Sequence, residues 1–512
     1  MSFGLLSLVT FIPVAGLAPL AVVWRNVRAA KLVAIGVSVV DLVVSLVILA
    51  QFKVGEAGFQ MVEKVDWLPS LGISYQLGVD GLSVLLVALT TLLTVVSLVA
   101  SWHPITDRVQ EYLVAFLVLE TGMVGVFLAL DLFLFYVFFE LMLVPMYLII
   151  GIWGGPLRIY ATIKFVLFTL AGSLIMLVGI VAVYLQSGEP GQRTLSYVEL
   201  LQRRSLFPVD FQTWAFIAFA LAFAIKLPMV PFHTWLPDAH VEAPTAGSII
   251  LAGILLKAGG YGFIRFALPL FPQGAQASLT VPLVGAVSLL SLVLLLSVIA
   301  IIYGAAVSTV QRDLKKLVAY SSVAHMGFVT LGVFVLNTQG LAGSVLQMVN
   351  HGLVTGALFL CVGIQYERTH RRLIADLGGL ANRWPVFTAF FGLFMLASLG
   401  LPGLNGFVGE FLVLLGTLAH NRVLGAVAAI GVILAAVYLL WMFQRVMYGP
   451  LRDAYQGLPD VNRTELVALL PLAALTVALG VFPQPALDII NPTVERIVKL
   501  ATEPSVLTVL TK

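Results

Sequence analysis

About fourteen apolar runs, each near twenty residues long, follow one another along this chain, and few architectures accept such a pattern. In hydrocarbon, every backbone N–H and C=O must be paired within its own segment. Runs of this length therefore fold as membrane-spanning helices. The expected spans are 3–24, 30–51, 81–101, 112–130, 132–151, 159–185, 211–239, 243–266, 281–303, 313–336, 339–365, 385–420, 422–447 and 464–483. The fold class expected is all-α integral membrane, with the lipid bilayer as its solvent. Composition agrees, since 60% of the residues are hydrophobic and 10% are charged. A soluble domain carries roughly 25% charged residues. The net charge of +3 gives no reason to expect a nucleic-acid partner. The single cysteine, Cys361, lies in an apolar run and reads as a small core hydrophobe. The N-terminal run lacks a basic leader and an Ala-x-Ala site, so it reads as the first span and not as a removed signal.

Basic residues in the loops set the expected orientation. Loops after odd-numbered spans carry fifteen lysines and arginines, among them Arg108, Lys315, Arg372 and Arg452, against six after even-numbered spans. The odd loops are therefore expected in the cytoplasm and both termini in the periplasm.

Two of the spans, the seventh and the twelfth, are too long for a simple crossing, and both contain a Leu-Pro step. Pro228 and Pro402 lie 402 − 228 = 174 residues apart, and the fourth and ninth spans begin 281 − 112 = 169 apart. Each unit has five helices, so the second would enter the membrane from the other side. An inverted repeat with broken helices at matching places is a transporter pattern. Chance recurrence of proline kinks is the plainer alternative. The expected division is an N-terminal three-helix segment at 1–111, five-helix units at 112–266 and 281–447, and a C-terminal helix and tail at 464–512.

An ionisable group at mid-membrane costs at least ~2.5–3.5 kcal/mol, so each one needs a reason. Glu140, Lys226, Lys257, His325, His351 and Glu410 all fall near the middle of expected spans. Glu140 and Lys226 carry opposite charges at similar depth. Contact would keep both ionised, and separation would favour release of the lysine proton, so a movable carboxylate makes the lysine switchable. A static ion pair is the alternative. Histidines suit relay work because imidazole accepts and donates near neutral pH, although His325 and His351 also fit as ordinary core residues. Lys164 is close enough to a helix end to reach the headgroups. Asp41 and Glu120 are weaker candidates and are assigned no role. The segment 233–242, with His233, His240, Asp238 and Glu242, reads as polar capping at the odd-loop end. Its histidines lack metal-ligand spacing.

Three runs now carry a resemblance. They are KLPMVPFHTWLPDAHVEAPTAGSIILAGILLKAGGYGFIR (226–265), DLFLFYVFFELMLVPMYLIIGIWGG (131–155) and RDLKKLVAYSSVAHMGF (312–328). They resemble the antiporter-like, proton-translocating subunits of respiratory complex I, and the resemblance covers nearly the whole chain. Glutamate at position 410, where most relatives have lysine, is characteristic of one complex I branch. The resemblance implies a fourteen-helix subunit of the membrane arm in a bacterial inner membrane. Its neighbours would be other membrane-arm subunits, including two related antiporter-like ones. It implies no cofactor in this chain; NADH, FMN, iron–sulfur clusters and quinone would act in partner subunits. It also implies that Glu140 and Lys226 form the coupling pair, that Lys257 is the central relay and that Glu410 lies toward the exit, with His325 and His351 between. A subunit of a multisubunit Na+/H+ antiporter, or of a membrane-bound hydrogenase, is the alternative within the lineage. A purely structural scaffold is the alternative outside it.

Overall fold

A computed structural model describes residues 4–281 and 285–503 of the 512-residue chain. Among them, thirteen helices are long and apolar enough to cross a membrane. In order they are Leu5–Val22, Val27–Gln51, Ser83–Ala100, Val109–Leu128, Leu132–Trp153, Arg158–Gln186, Val209–Lys226, Thr245–Leu270, Leu289–Thr309, Leu314–Phe334, Thr338–Thr369, Arg422–Met447 and Arg463–Val481. The expected twelfth span is two shorter helices, Pro385–Ser398 and Asn405–His420, so Arg422–Met447 is counted below as the thirteenth span and Arg463–Val481 as the fourteenth.

The spans differ sharply in what surrounds them. The eighth and eleventh are fully buried over their most apolar windows and the tenth is 94% buried, whereas the second is 28% and the thirteenth 33% buried. Every central ionisable group in the second half of the expected list, from Lys257 to Glu410, therefore sits in a protein-lined core ringed by helices that face outward.

Both broken helices stop in the same way. In the seventh, Leu227 N–H donates to the Phe223 carbonyl and Met229 N–H to that of Ala224, both at 2.8 Å. In the twelfth, Leu399 N–H donates to Met395 and Leu401 N–H to Leu396, at 2.9 and 3.0 Å. The two caps are 172 residues apart (399 − 227) and use the same i−4 and i−5 pattern, which satisfies carbonyls that a break would orphan. Gly400 and Gly403 take left-handed conformations (φ +82° and +92°), so the second break needs glycine where the first uses Pro228.

Four features differ from the sequence reading. The seventh span was expected to run to 239, but it ends at Lys226 and a separate helix, Trp235–Glu242, follows. The ninth was expected from 281, yet it begins at Leu289. Ser278–Val281 and Gly285–Ser288 pair as an antiparallel hairpin before it, and residues 282–284 lie outside the described residues. The 52–80 connection also forms a hairpin, Gln60–Leu68 against Ile73–Val79. Beyond the fourteenth span lies a further helix, Gln484–Thr502, which buries Ile490, Val494, Ile497 and Leu500 along one face. Residue 3 of the first expected span and residues 504–512 of the expected tail lie outside the described residues.

The hairpins and the last helix share the even-loop face, where a buried ion pair locks the third and eighth spans together. Arg265 Nη2 donates to both oxygens of Asp80 at 2.6 Å, and both side chains are almost wholly buried. Gly81 N–H, next to Asp80, donates to Thr493 Oγ1 of the last helix at 3.1 Å.

Candidate functional site

The eighth span is not a regular helix. Leu251–Leu255 and Phe263–Ala267 are π turns, and α-helix runs between them. A π turn widens the helix by one residue and leaves a carbonyl short of its usual donor; such bulges concentrate at functional sites. Lys257 follows the first bulge. Its ammonium group donates to the carbonyl of Ala252 inside that bulge and to Nδ1 of His351 at 2.7 Å. Lys257 is fully buried, so these two acceptors are what the lysine has in place of water. Receiving that bond at Nδ1 leaves the proton of a neutral His351 on Nε2, which has no partner among the described residues.

His325 lies next along the line, its ring centroid 5.7 Å from that of His351 and nearly edge-on. Its Nδ1 is 2.7 Å from Glu410 Oε1, and its Nε2 is 3.2 Å from Ser398 Oγ at the end of the first half of the broken twelfth helix. Gln347 Nε2 donates to the same glutamate oxygen at 3.0 Å. Between the two imidazoles, at the break, is a small cavity of about 10 Å³ lined by Gln347, Asn350, Ser398 and Gly406. That volume and that polar lining fit a single bridging water. Four expected residues from the eighth, tenth, eleventh and twelfth helices thus form one buried line: Lys257, His351, His325, Glu410.

Glu140 and Lys226 stand apart from this line. Lys226 is 2% exposed at the last turn of the seventh span, with its Nζ 4.9 Å from the centroid of Phe139 and 6.0 Å from that of Phe165. No ion pair within 4.0 Å joins it to Glu140 among the described residues, so the contact expected from sequence is not made in this structure. Glu140 is half-buried, between the exposed Val137 and Val144. The break beside Lys226 is tied by Trp235, whose indole N–H donates to the Ile225 carbonyl at 3.0 Å.

The segment 233–242 differs from its expected capping role. His240 is fully buried and stacks on Phe359 at 4.5 Å, 4° from parallel, and neither ring nitrogen has a partner among the described residues. Lys257 and Lys315 both act on it electrostatically. Lys315 in turn donates to the Ala243 carbonyl at 2.5 Å and lines a cavity of about 260 Å³ with Glu242, Glu367 and Arg372, at the odd-loop face. His240 directly precedes Val241 and Glu242, which line that cavity. Its depth could not be read from a segment whose prolines obscure where the helix runs. Lys164 also departs from the reading, for it meets Asp238 at 2.8 Å instead of extending to the headgroups.

A bundle of membrane helices, two of them broken, around a buried line of amine, imidazoles and carboxylate defines a proton-conducting membrane subunit. The family described as NADH:quinone oxidoreductase/Mrp antiporter, TM, matches residues 129–436, and the chain belongs to it. It is 48% identical over 508 residues to NADH-quinone oxidoreductase subunit M of Rhodobacter capsulatus, covering 97% of this chain and 96% of that one. It is 44% identical over 476 residues to NADH-ubiquinone oxidoreductase chain 4 of Arabidopsis thaliana, covering 93% and 92%. Among solved structures, a chain of respiratory complex I from Thermus thermophilus with bound NADH superposes with a TM-score of 0.86 at 33% identity, over 97% of this chain and 99% of that one. A chain of the Mrp complex from Dietzia sp. DQ12-45-1b has the same fold, with a TM-score of 0.83 at 21% identity over 99% and 98%.

Proposed function

We propose that this chain is the proton-translocating membrane-arm subunit of an NADH-quinone oxidoreductase, of the subunit M type, and that it moves protons through Lys257, His351, His325 and Glu410. The observation that carries the reading is the buried line itself, with contacts of 2.7 Å at each end and a water-sized cavity in the middle. Such groups are expensive in a membrane core and are kept where protons pass. Protons enter from the 260 Å³ cavity by way of His240. Glu140 and Lys226 are the switch that drives the line. A half-buried glutamate at mid-span is costly to leave against lipid, so a neighbouring antiporter-like subunit covers it. The two broken helices with equivalent caps support two inverted five-helix units, at 112–266 and 281–447. NADH oxidation and quinone reduction, with FMN and iron–sulfur clusters, belong to partner subunits in this reading.

The test is Lys257→Met in the assembled complex. Methionine fills the lysine's space without its charge, so the complex should assemble to normal amounts on a native gel. NADH-driven proton uptake into inverted vesicles should fall at least about tenfold, because the line has lost its first donor. Wild-type pumping by an assembled variant would remove Lys257 from the path.

The termini are proposed to be periplasmic in a bacterial inner membrane. An impermeant thiol reagent should label a cysteine in the 368–376 loop from the cytoplasmic side only, and one at the C-terminus from the periplasmic side only. Labelling of both from one side would overturn the assignment.

A further inference from the structure

Two buried carboxyl groups lie outside the line of relay residues. Asp41, midway along the second span, and Glu120, midway along the fourth, are both 0% exposed, and Ser38, one turn before Asp41, bonds to Glu120, which places both carboxyl groups in one seam. Neither has an ion-pair partner among the described residues. Ser38 Oγ donates to Glu120 Oε2 at 2.8 Å. Both oxygens of Asp41 and Oε1 of Glu120 have no donor among the described residues, and Ser97 Oγ and Thr121 Oγ1 close by in the same three helices also lack partners. Buried orphan polar atoms are scarce in folded proteins, so a cluster of them in one three-helix seam points to something that binds there.

The surrounding charges do not explain it. The first and third spans have no titratable side chain. Arg28 and Lys31 lie at the odd-loop end of the second span, with Lys31 about 15 Å along the axis from Asp41. Lys31 spends its ammonium on the Trp102 and Ile105 carbonyls, at 2.6 and 2.8 Å. Glu111 and Tyr112 are at the same end of the fourth span; the other elements packed against it carry Tyr136, Glu140 and Tyr147 on the fifth span, Lys257 and Tyr261 on the eighth and Tyr75 on the hairpin strand. None of them makes an ion pair or hydrogen bond with Asp41 or Glu120 among the described residues. Two buried carboxyl groups in one seam, with no cationic side chain paired to either among the described residues, do not both stay ionised, and holding one proton between them is the stable arrangement.

A route to the surface is built into the third span. Thr90, Thr94, Ser97 and Ser101 recur at helical spacing on one buried face. Ser101 bonds to Tyr112 Oη at 2.8 Å, and both residues line the odd-face cavity of about 260 Å³.

We propose that Asp41 and Glu120 bind a single proton between them, forming a proton-binding site separate from the relay and reached from the odd-loop face along this hydroxyl ladder. The proton is taken up from and returned to water; no bond other than O–H forms or breaks. The proposal does not depend on the relay's function.

A membrane-permeant carbodiimide reacts with protonated carboxyl groups in apolar surroundings, and it gives the test on membranes containing the assembled protein. Peptide mass mapping should find an adduct on Asp41 or Glu120 at mildly alkaline pH, with Glu140 as an internal reference. In Asp41→Asn, Glu120 loses the neighbour that makes its second charge costly, so its labelling should fall about tenfold for each pKa unit lost. Glu120→Gln should do the same to Asp41, which serves if the first variant does not assemble. Failure of both carboxyls to label while Glu140 does would overturn the proposal, as would equal labelling of Glu120 with and without Asp41. Suppression of labelling by sodium chloride, but not by choline chloride at equal ionic strength, would replace it with an all-oxygen sodium site.

Discussion

The two charged regions of this protein are built on opposite principles. From Lys257 to Glu410 each group touches the next or shares a water-sized cavity with it, and every side chain is packed by the most buried helices of the bundle. Between Glu140 and Lys226 there is no contact; an aromatic ring takes its place, and the glutamate sits on an outward-facing surface. In the proposed function the first region is a preformed conductor. The second has opposite charges held short of contact, which is what a switch needs, because a pair already locked together would have nothing left to do. Position in the bundle makes the difference: the line lies at the buried centre, and Glu140 at an edge that another subunit can move against.

The largest effect that would break this comparison is expected at the switch. Glu140→Gln leaves Lys226 without a counter-charge to approach, and Lys226→Ala leaves nothing to be switched. Both should suppress NADH-driven pumping at least about tenfold in vesicles, and slow electron transfer in the assembled complex, because a stalled switch holds back the reaction coupled to it. Glu140→Asp keeps the charge on a shorter arm and should retain part of the activity. Wild-type pumping by both Glu140→Gln and Lys226→Ala would make the two residues structural.

A smaller effect is expected at the far end of the line. Glu410→Gln preserves the hydrogen bond from Gln347 in shape but removes the charge that meets His325 Nδ1 at 2.7 Å. Pumping should drop several-fold with normal assembly, since His325 and the cavity beside it remain. Glu410→Asp should recover part of the loss. An assembled Glu410→Gln variant that pumps normally would take Glu410 off the route.

The same contrast shows what could be read in the sequence. Long apolar runs placed most spans to within a few residues, the seventh and ninth excepted, because a membrane leaves helices as the only solution, and charges stranded in those runs marked the six candidate residues. Relations across the bundle were not legible. Lys257 and His351 are 94 residues apart and meet only because helices eight and eleven pack, and the π turn that supplies Ala252 is invisible in a run that is apolar on every side. Asp41 and Glu120 were visible singly but not as a pair. The hairpin strand Ile73–Val79, by contrast, alternates Ile73, Tyr75, Leu77 and Val79, and the last helix repeats Ile490, Val494 and Ile497 at helical spacing. Both signals are present in the sequence, but neither forms a long apolar run.

The smallest expected effect sharpens the comparison most. Phe139 is buried beside Glu140, and its ring lies 4.9 Å from the Lys226 ammonium, so the ring face, not the carboxylate, holds the cation in this structure. A desolvated cation over a phenyl ring gains about 0.5–2 kcal/mol. Phe139→Leu keeps a bulky apolar side chain there but offers no ring face, and a change of this kind usually costs under about 1.5 kcal/mol in packing. With the ring gone, Lys226 gains less from staying back and more from joining Glu140, so the pair should close more readily and release its proton less often. Pumping is expected to fall about threefold, the factor that corresponds to roughly 0.7 kcal/mol of lost attraction. Phe139→Tyr keeps the ring face and should pump near the wild-type rate if it assembles. Equal behaviour of the leucine and tyrosine variants would mean that the ring is only packing, and that some other feature keeps Glu140 and Lys226 apart.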